Sequence, residues 1–190
     1  MWQAHSPWAA PVAPLEASGG SIFSKKKEGA MTPVRLTTGD DPAPVLALIR
    51  TAFAYMDGRI DPPSSMHRLD AAEVARQAET GEVWVIGPAD APRACVFLTP
   101  KPGTLYIGKL AVAGPARGRG LARRLVGLAE TRALALGLPV LELQTRVELT
   151  ENHAAFARLG FARVGGTAHP GYDRITSYTY RKPVNPPGRG

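Results

Sequence analysis

Apolar residues recur along this chain with two periods, close to two and close to 3.6, and the switches between them mark out the elements. Residues 34–37 read as a first strand. Asp41-Pro42 start a helix, with Asp41 as N-cap and Pro42 in the first turn, and Val45, Leu48, Ile49, Ala52 and Phe53 give it one apolar face down to about Tyr55. Asp70 and Glu73 have capping-box spacing for a second helix over residues 71–78. Strands are expected at 82–86 and 93–99, paired as a hairpin across Gly87-Pro88-Ala89-Asp90. A further strand runs over 105–113, where Tyr106, Gly108, Leu110 and Val112 alternate against Leu105, Ile107 and Ala111.

That run stops at Gly114-Pro115. A short turn, Arg117-Gly118-Arg119-Gly120, follows, and then Leu121, Ala122, Leu125, Ala129, Ala133 and Leu136 recur at helical spacing. Gly137 and Pro139 stop this helix. Residues 140–145 form the next strand, so strand, helix and strand make a crossover whose two strands are parallel neighbours. Thr150 is placed as the cap of a short helix ending at Leu159-Gly160, and Phe161 opens a core strand through about Gly165. A last strand covers 175–181. The expected class is α/β, a mixed sheet with helices on both faces.

Composition narrows the picture. The chain has 190 residues, and 44% of them are hydrophobic, enough for one core. Residues 1–31 show neither period and carry Pro7, Pro11, Pro14 and Lys25-Lys26-Lys27, so they read as a disordered tail or an over-extended start with Met31 as initiator. A signal peptide would put its charge before its apolar segment, and here the order is reversed. One domain is expected over 32–182, and 183–190 read as a disordered C-terminal tail. No apolar run spans a bilayer, and a cytoplasmic protein is the default. The single Cys95 excludes an internal disulfide and lies in an apolar strand, as a core thiol would. The formal charge of +7 suits an anionic ligand. No basic helix or aromatic–basic interleaving points to nucleic acid. No His, Asp and Glu cluster has metal-ligand spacing, so no metal is expected.

The turn before the central helix is where an anion fits. A helix N-terminus leaves main-chain N–H groups unpaired and carries the positive end of the macrodipole. Glycines admit a ligand to those groups, and a pyrophosphate suits the place. A Walker loop would need Gly-Lys-Ser/Thr, which is absent. A dinucleotide fingerprint would need a third glycine where Arg123 stands. What fits is Arg117-x-x-Gly120-x-Ala122 after Leu110-Ala111-Val112. This resembles the acyl-CoA signature of the GNAT family of N-acetyltransferases. The Asn152 helix ending in Leu159-Gly160-Phe161 resembles the family's second signature.

The resemblance implies the GNAT fold, a mostly antiparallel sheet with one parallel pair splayed apart, and direct acetyl transfer from acetyl-CoA to an amine. Carried over residue by residue, main-chain groups of Gly118, Arg119, Gly120, Leu121 and Ala122 with the Arg117 side chain would hold the cofactor. Leu110, Ala111 and Val112 would line its pantetheine arm, with the Val112 N–H polarising the thioester carbonyl. Asn152 and Phe156 would contact the same arm. Many members have a tyrosine at the position of Phe156 that protonates the departing thiolate, so Tyr172, Tyr178, His153 or water must serve here. Tyr55, Asp57, Arg59, Asp61 and Ser65, with His169, Tyr172 and Asp173, are acceptor-site candidates. Glu148 is the first candidate for the base that deprotonates the amine, with Glu142 and Asp173 as alternatives. The partners implied are acetyl-CoA and a small-molecule or protein amine, with a monomer or homodimer. Two other readings stand beside this one: an acyl-CoA-binding module without turnover, and a basic nucleic-acid-associated protein.

Overall fold

The computed structural model describes residues 32–185. The expectations for residues 1–31, and for 186–190 of the C-terminal tail, lie outside them. The elements are β1 (Val34–Arg35), α1 (Ala43–Phe53), α2 (Ala71–Thr80), β2 (Glu82–Ile86), β3 (Ala94–Lys101), β4 (Thr104–Val112), α3 (Leu121–Ala135), β5 (Val140–Arg146), α4 (Thr150–Arg158), β6 (Ala162–Thr167) and β7 (Ser177–Pro183). Val184 continues past β7 into a buried position, its N–H donating to Pro139 O at 2.8 Å. Among the described residues no helix is long and apolar enough to cross a membrane.

One sheet takes the order β1-β2-β3-β4-β5-β7-β6. Only β4 and β5 are parallel, and their ladder is short, from Leu105 opposite Leu141 to Ile107 opposite Leu143. Beyond those residues the two strands part. On one face α1 and α2 bury Val45, Ile49, Ala52 and Val74 against Val83, Val85, Cys95, Phe97 and Ala111. On the other, α3 buries Leu121, Leu125, Ala129 and Ala133 against Val96, Leu98, Leu105, Ile107, Leu141 and Leu143, and Phe156 of α4 and Leu159 just past its end pack at the margin.

Local signals explain most ends. Asp41 Oδ1 accepts from Ala43 N at 2.9 Å, stapling the entry to α1. Asp70 Oδ1 accepts from Glu73 N at 2.7 Å, but Glu73 turns its carboxylate to Arg76 and Gln77, so the capping box is half formed. At the end of α3, Leu138 N returns to Ala133 O and Gly137 N to Leu134 O, the Schellman pair, with Gly137 at φ +66°.

Three expectations are corrected. Thr150 does not cap α4: it is the first helical residue, and the flanking Leu149, buried in the core at 2% exposure, has no polar side-chain atom with which to cap it. β6 is not a core strand. β7 pairs with both β5 and β6 and takes the interior place, leaving β6 as an edge with every residue exposed. Strict alternation along β4 also fails. Phe97 faces Gly108 while Cys95 faces Ala111, so β4 holds one residue more than β3 at this point, and Lys109 takes φ +35°. The bulge resets the faces: Leu110 and Val112 pack on the α3 side with Leu105 and Ile107, and Ala111 faces α1.

Candidate functional site

Two features of main chain meet where β4 leaves β5. The first is the start of α3. Gly118 and Gly120 both adopt left-handed φ, +76° and +74°, which L side chains rarely enter. Gly120 is the N-cap and brings no capping side chain, and the first turn holds no acidic residue. The first helical bond is Arg124 N to Gly120 O at 3.0 Å, so the N–H groups of Leu121, Ala122 and Arg123 have no acceptor within the helix. A Cβ built on Gly118 or Gly120 meets nothing within 4 Å, so the outer side of the turn is open.

The second is the free flank of β4. Ala113 N donates to Arg93 O on the β3 side at 2.8 Å. Amide directions alternate along a strand, so the N–H groups of Leu110 and Val112 point to the side that β5 has vacated. A cavity of about 1080 Å³ fills that gap. Leu110, Ala111, Val112, Arg117, Ala122, Asn152 and Phe156 line it, as do Tyr55, Arg59, Ser65 and His169. Gly118, Arg119, Gly120 and Leu121 form the turn beside the lining. Arg117 points away from that turn: its Nη2 donates to Ala52 O at 3.3 Å, at the end of α1.

The cavity is bridged on its open side. Asn152 Nδ2 donates to the Tyr55 hydroxyl at 3.1 Å, and Arg59 pairs with Glu151 at 2.8 Å. Asp61 accepts from the Tyr172 hydroxyl at 2.6 Å and from Arg174 at 2.7 Å. These two donors hold the Asp61 carboxyl below the usual carboxylate range, and the same bond raises the Tyr172 phenol. Asp61 and Tyr172 are therefore rim residues, outside the lining. Asp57 is also outside, bound to His67 at 2.9 Å, and so is Asp173.

Glu148 sits one layer back from the cavity, behind Arg146. Its Oε1 accepts from Asp61 N at 3.2 Å, and its Oε2 lies 3.8 Å from Arg146 Nε. Arg146 Nη1 reaches His169 Nε2 at 3.2 Å, and His169 Nδ1 lies 2.6 Å from Thr176 Oγ1. With Nε2 accepting, the imidazole is neutral and carries its proton on Nδ1. Burial, and then the Arg146 cation, push its pKa down, in keeping with that form. Of the other candidates, Glu142 is held by Arg181 at 2.8 Å, and His153 Nε2 donates to Arg146 O at 2.9 Å. Neither they nor Tyr178 line the cavity.

The sequence profile of the Acetyltransferase (GNAT) family matches residues 48–161. The chain belongs to the GNAT family. No curated protein matches the sequence. Solved structures share the GNAT fold at low identity. PaiA N-acetyltransferase from Thermoplasma acidophilum, in complex with coenzyme A, has a TM-score of 0.67 at 8% identity over 80% of this chain and 98% of that one. A GNAT acetyltransferase from Staphylococcus aureus has 0.65 at 10% over 82% and 100%. A GNAT acetyltransferase from Elizabethkingia anophelis with acetyl-CoA bound has 0.57 at 17% over 80% and 97%.

Three residues that this GNAT chain brings into the cavity wall had no signal of their own in the sequence. Arg146, Glu151 and Lys109 belong to no motif in the sequence, and Gly108, inside an alternating run beside Lys109, is the available hint of a bulge.

Proposed function

We propose that the protein transfers an acetyl group from acetyl-CoA to a primary amine. The observation that carries this is the open N-terminus of α3 beside the vacated flank of β4. The fit to a CoA-type ligand is specific: unpaired amides, no capping side chain, no acid in the first turn, and free space over Gly118 and Gly120. The GNAT structures with coenzyme A and acetyl-CoA support the same reading.

When bound, acetyl-CoA supplies an activated thioester. The amides of the first turn of α3 grip its diphosphate, with the helix dipole behind them. Arg117 closes the α1 side of the cavity. Leu110 and Ala111 flank the pantetheine arm, Phe156 packs against it and Asn152 bonds to it. The Val112 N–H donates to the carbonyl oxygen as negative charge grows there. Glu148, one layer behind Arg146, takes the proton of the attacking ammonium through intervening solvent and not by direct contact. No tyrosine stands at position 156 to protonate the leaving thiolate, and solvent serves in its place.

The test is direct. Purified protein, CoA and a panel of primary amines are combined, and CoA affinity and thiol release from acetyl-CoA are read separately. Tight CoA binding with amine-dependent release supports the proposal. Binding without release favours an acyl-CoA-binding module, the reading encouraged by Phe156. Absence of CoA binding refutes both.

A further inference from the structure

Between α1 and α2 the chain crosses the cavity without sinking a side chain. Met56 and Met66 are buried at 8% and 5% exposure, and no residue of 57–65 between them is buried. Arg59, Ile60, Pro62 and Ser65 of this segment line the cavity. What holds the segment down is polar and comes from far along the chain. Arg59 pairs with Glu151 of α4 at 2.8 Å. The Asp61 carboxylate takes Arg174 at 2.7 Å and the Tyr172 hydroxyl at 2.6 Å, both from the β6–β7 loop, and the Asp61 N–H donates to Glu148 Oε1 at 3.2 Å.

The four side chains of the two ion pairs are between 46% and 61% exposed. Pairs of this kind are individually weak and are screened by salt. On either side α1 and α2 bury Val45, Ile49 and Val74 against the sheet. A segment with buried ends, no buried middle and only surface ties opens by itself, at less cost than unfolding the elements that flank it. Pro62 and Pro63 fix φ at two successive residues, which stiffens the piece that swings.

We propose that residues 57–65 are a lid on the acceptor's way in, pegged at Met56 and Met66 and latched by Arg59 on Glu151 and by Asp61 on Arg174. The structure shows it shut. None of these latches reaches the turn before α3, so the lid opens with the cofactor in place. Shut, it keeps water from the thioester until an acceptor arrives. The acceptor's part in this rests on the acetyl-transfer reading, and the opening of the lid does not.

Hydrogen exchange reads the opening. Arg174→Gln removes one latch and should speed exchange over 57–65 by about two- to fivefold. Raising NaCl from about 0.05 to about 0.5 M should do the same in the wild type. The amides of α1, α2 and the sheet should keep their rates in both cases. A thiol behind the lid reads access. Ser177 is 4% exposed, lines the cavity and stands opposite Arg146 in the β5–β7 ladder. With desulfo-CoA filling the cofactor's side, maleimide labelling of the Ser177→Cys protein should be slow, and should rise with Arg174→Gln and with salt in the same proportion as exchange. Thermal melts check folding, and Thr145→Cys, at a cavity-lining position 7% exposed, is the second site for the thiol. Exchange over 57–65 that ignores both changes, or that moves only with the sheet, overturns the proposal. So does labelling as fast as that of a free thiol, or labelling that neither change alters. Failure of desulfo-CoA to bind, or of any amine to be acetylated, counts against the acetyl-transfer reading alone, and exchange then decides the lid.

Discussion

Arg132, in the last turn of α3, reaches across the sheet to Glu82 at the start of β2. Its Nη2 meets Oε1 at 2.6 Å and its Nε meets Oε2 at 2.9 Å, while Trp84 Nε1 donates to Oε2 at 2.7 Å. The Glu82 side chain is 8% exposed and that of Arg132 30%. Burial alone would raise the Glu82 carboxyl, but Arg132 and Trp84 outweigh it and hold it below the ordinary value. Arg132→Met keeps the stem and deletes the charge, leaving a buried carboxylate with one indole donor. Breaking such a pair from one side costs about 3–5 kcal/mol, and the partial exposure of Arg132 argues for the lower end, about 3. At about 2–4 °C per kcal/mol for a domain of this size, the melting temperature should drop by roughly 6–12 °C near neutral pH. The pH dependence has a definite sign. In the wild type the contribution is present above the carboxyl's unfolded pKa and is lost as pH falls through the depressed folded one. In the variant, burial outweighs the remaining Trp84 donor and the folded pKa rises, so lowering the pH restores stability. The deficit must therefore shrink on acidification. Urea denaturation at about pH 7 and about pH 5 measures it, and Arg132→Met with Glu82→Leu should recover most of the loss. A single variant within about 1 kcal/mol of the wild type at neutral pH, or a deficit that ignores pH, would refute the reasoning.

Gly120→Ala forces a side chain to φ +74° and should lower stability by about 1–2 kcal/mol. It should also weaken CoA by about tenfold or more by calorimetry, the worth of one charge-assisted bond; unchanged affinity would remove the turn from the binding site. Phe156→Tyr should raise kcat with little change in CoA affinity, since it returns a phenol to the cavity wall; stopped-flow thiol release reads this, and an unaltered kcat means that thiolate departure does not limit turnover. Cys95, the only cysteine, is buried and its thiol is pushed up to about 12 by burial. It should therefore stay silent to a thiol reagent in folded protein and titrate as one thiol in urea. Asp61→Asn weakens the ties to Tyr172 and Arg174 and should speed amide exchange over residues 57–65, with the sheet's exchange unaltered.

The elements that could be read in advance are those whose cause is local. Gly137 ends α3 and Asp70 opens α2 through bonds a few residues long, and the turn before α3 announced itself through Gly118 and Gly120. What escaped depends on partners far away in the chain. Tyr55 finds Asn152 across 97 residues and Tyr172 finds Asp61 across 111, and no periodicity encodes either meeting. The exposed state of β6 follows from β7 occupying its place beside β5, a matter of strand order. Thr150 looked like a cap by residue type, but the burial of Leu149 decided where α4 begins.

The surplus residue in β4 has a consequence for how such a slot arises. The parallel ladder ends at Ile107 opposite Leu143, and the bulge begins at the next residue. A bulge bends and overtwists its strand, so here it steers β4 off its neighbour at the point where pairing would otherwise continue. Removing Lys109 would leave Leu110, Ala111 and Val112 opposite the same residues of β3 and looking into the same cores. It would also let the zipper run on. The opening is thus carried by a single inserted amino acid, and a one-codon deletion would yield a well-formed protein with its doorway sewn shut.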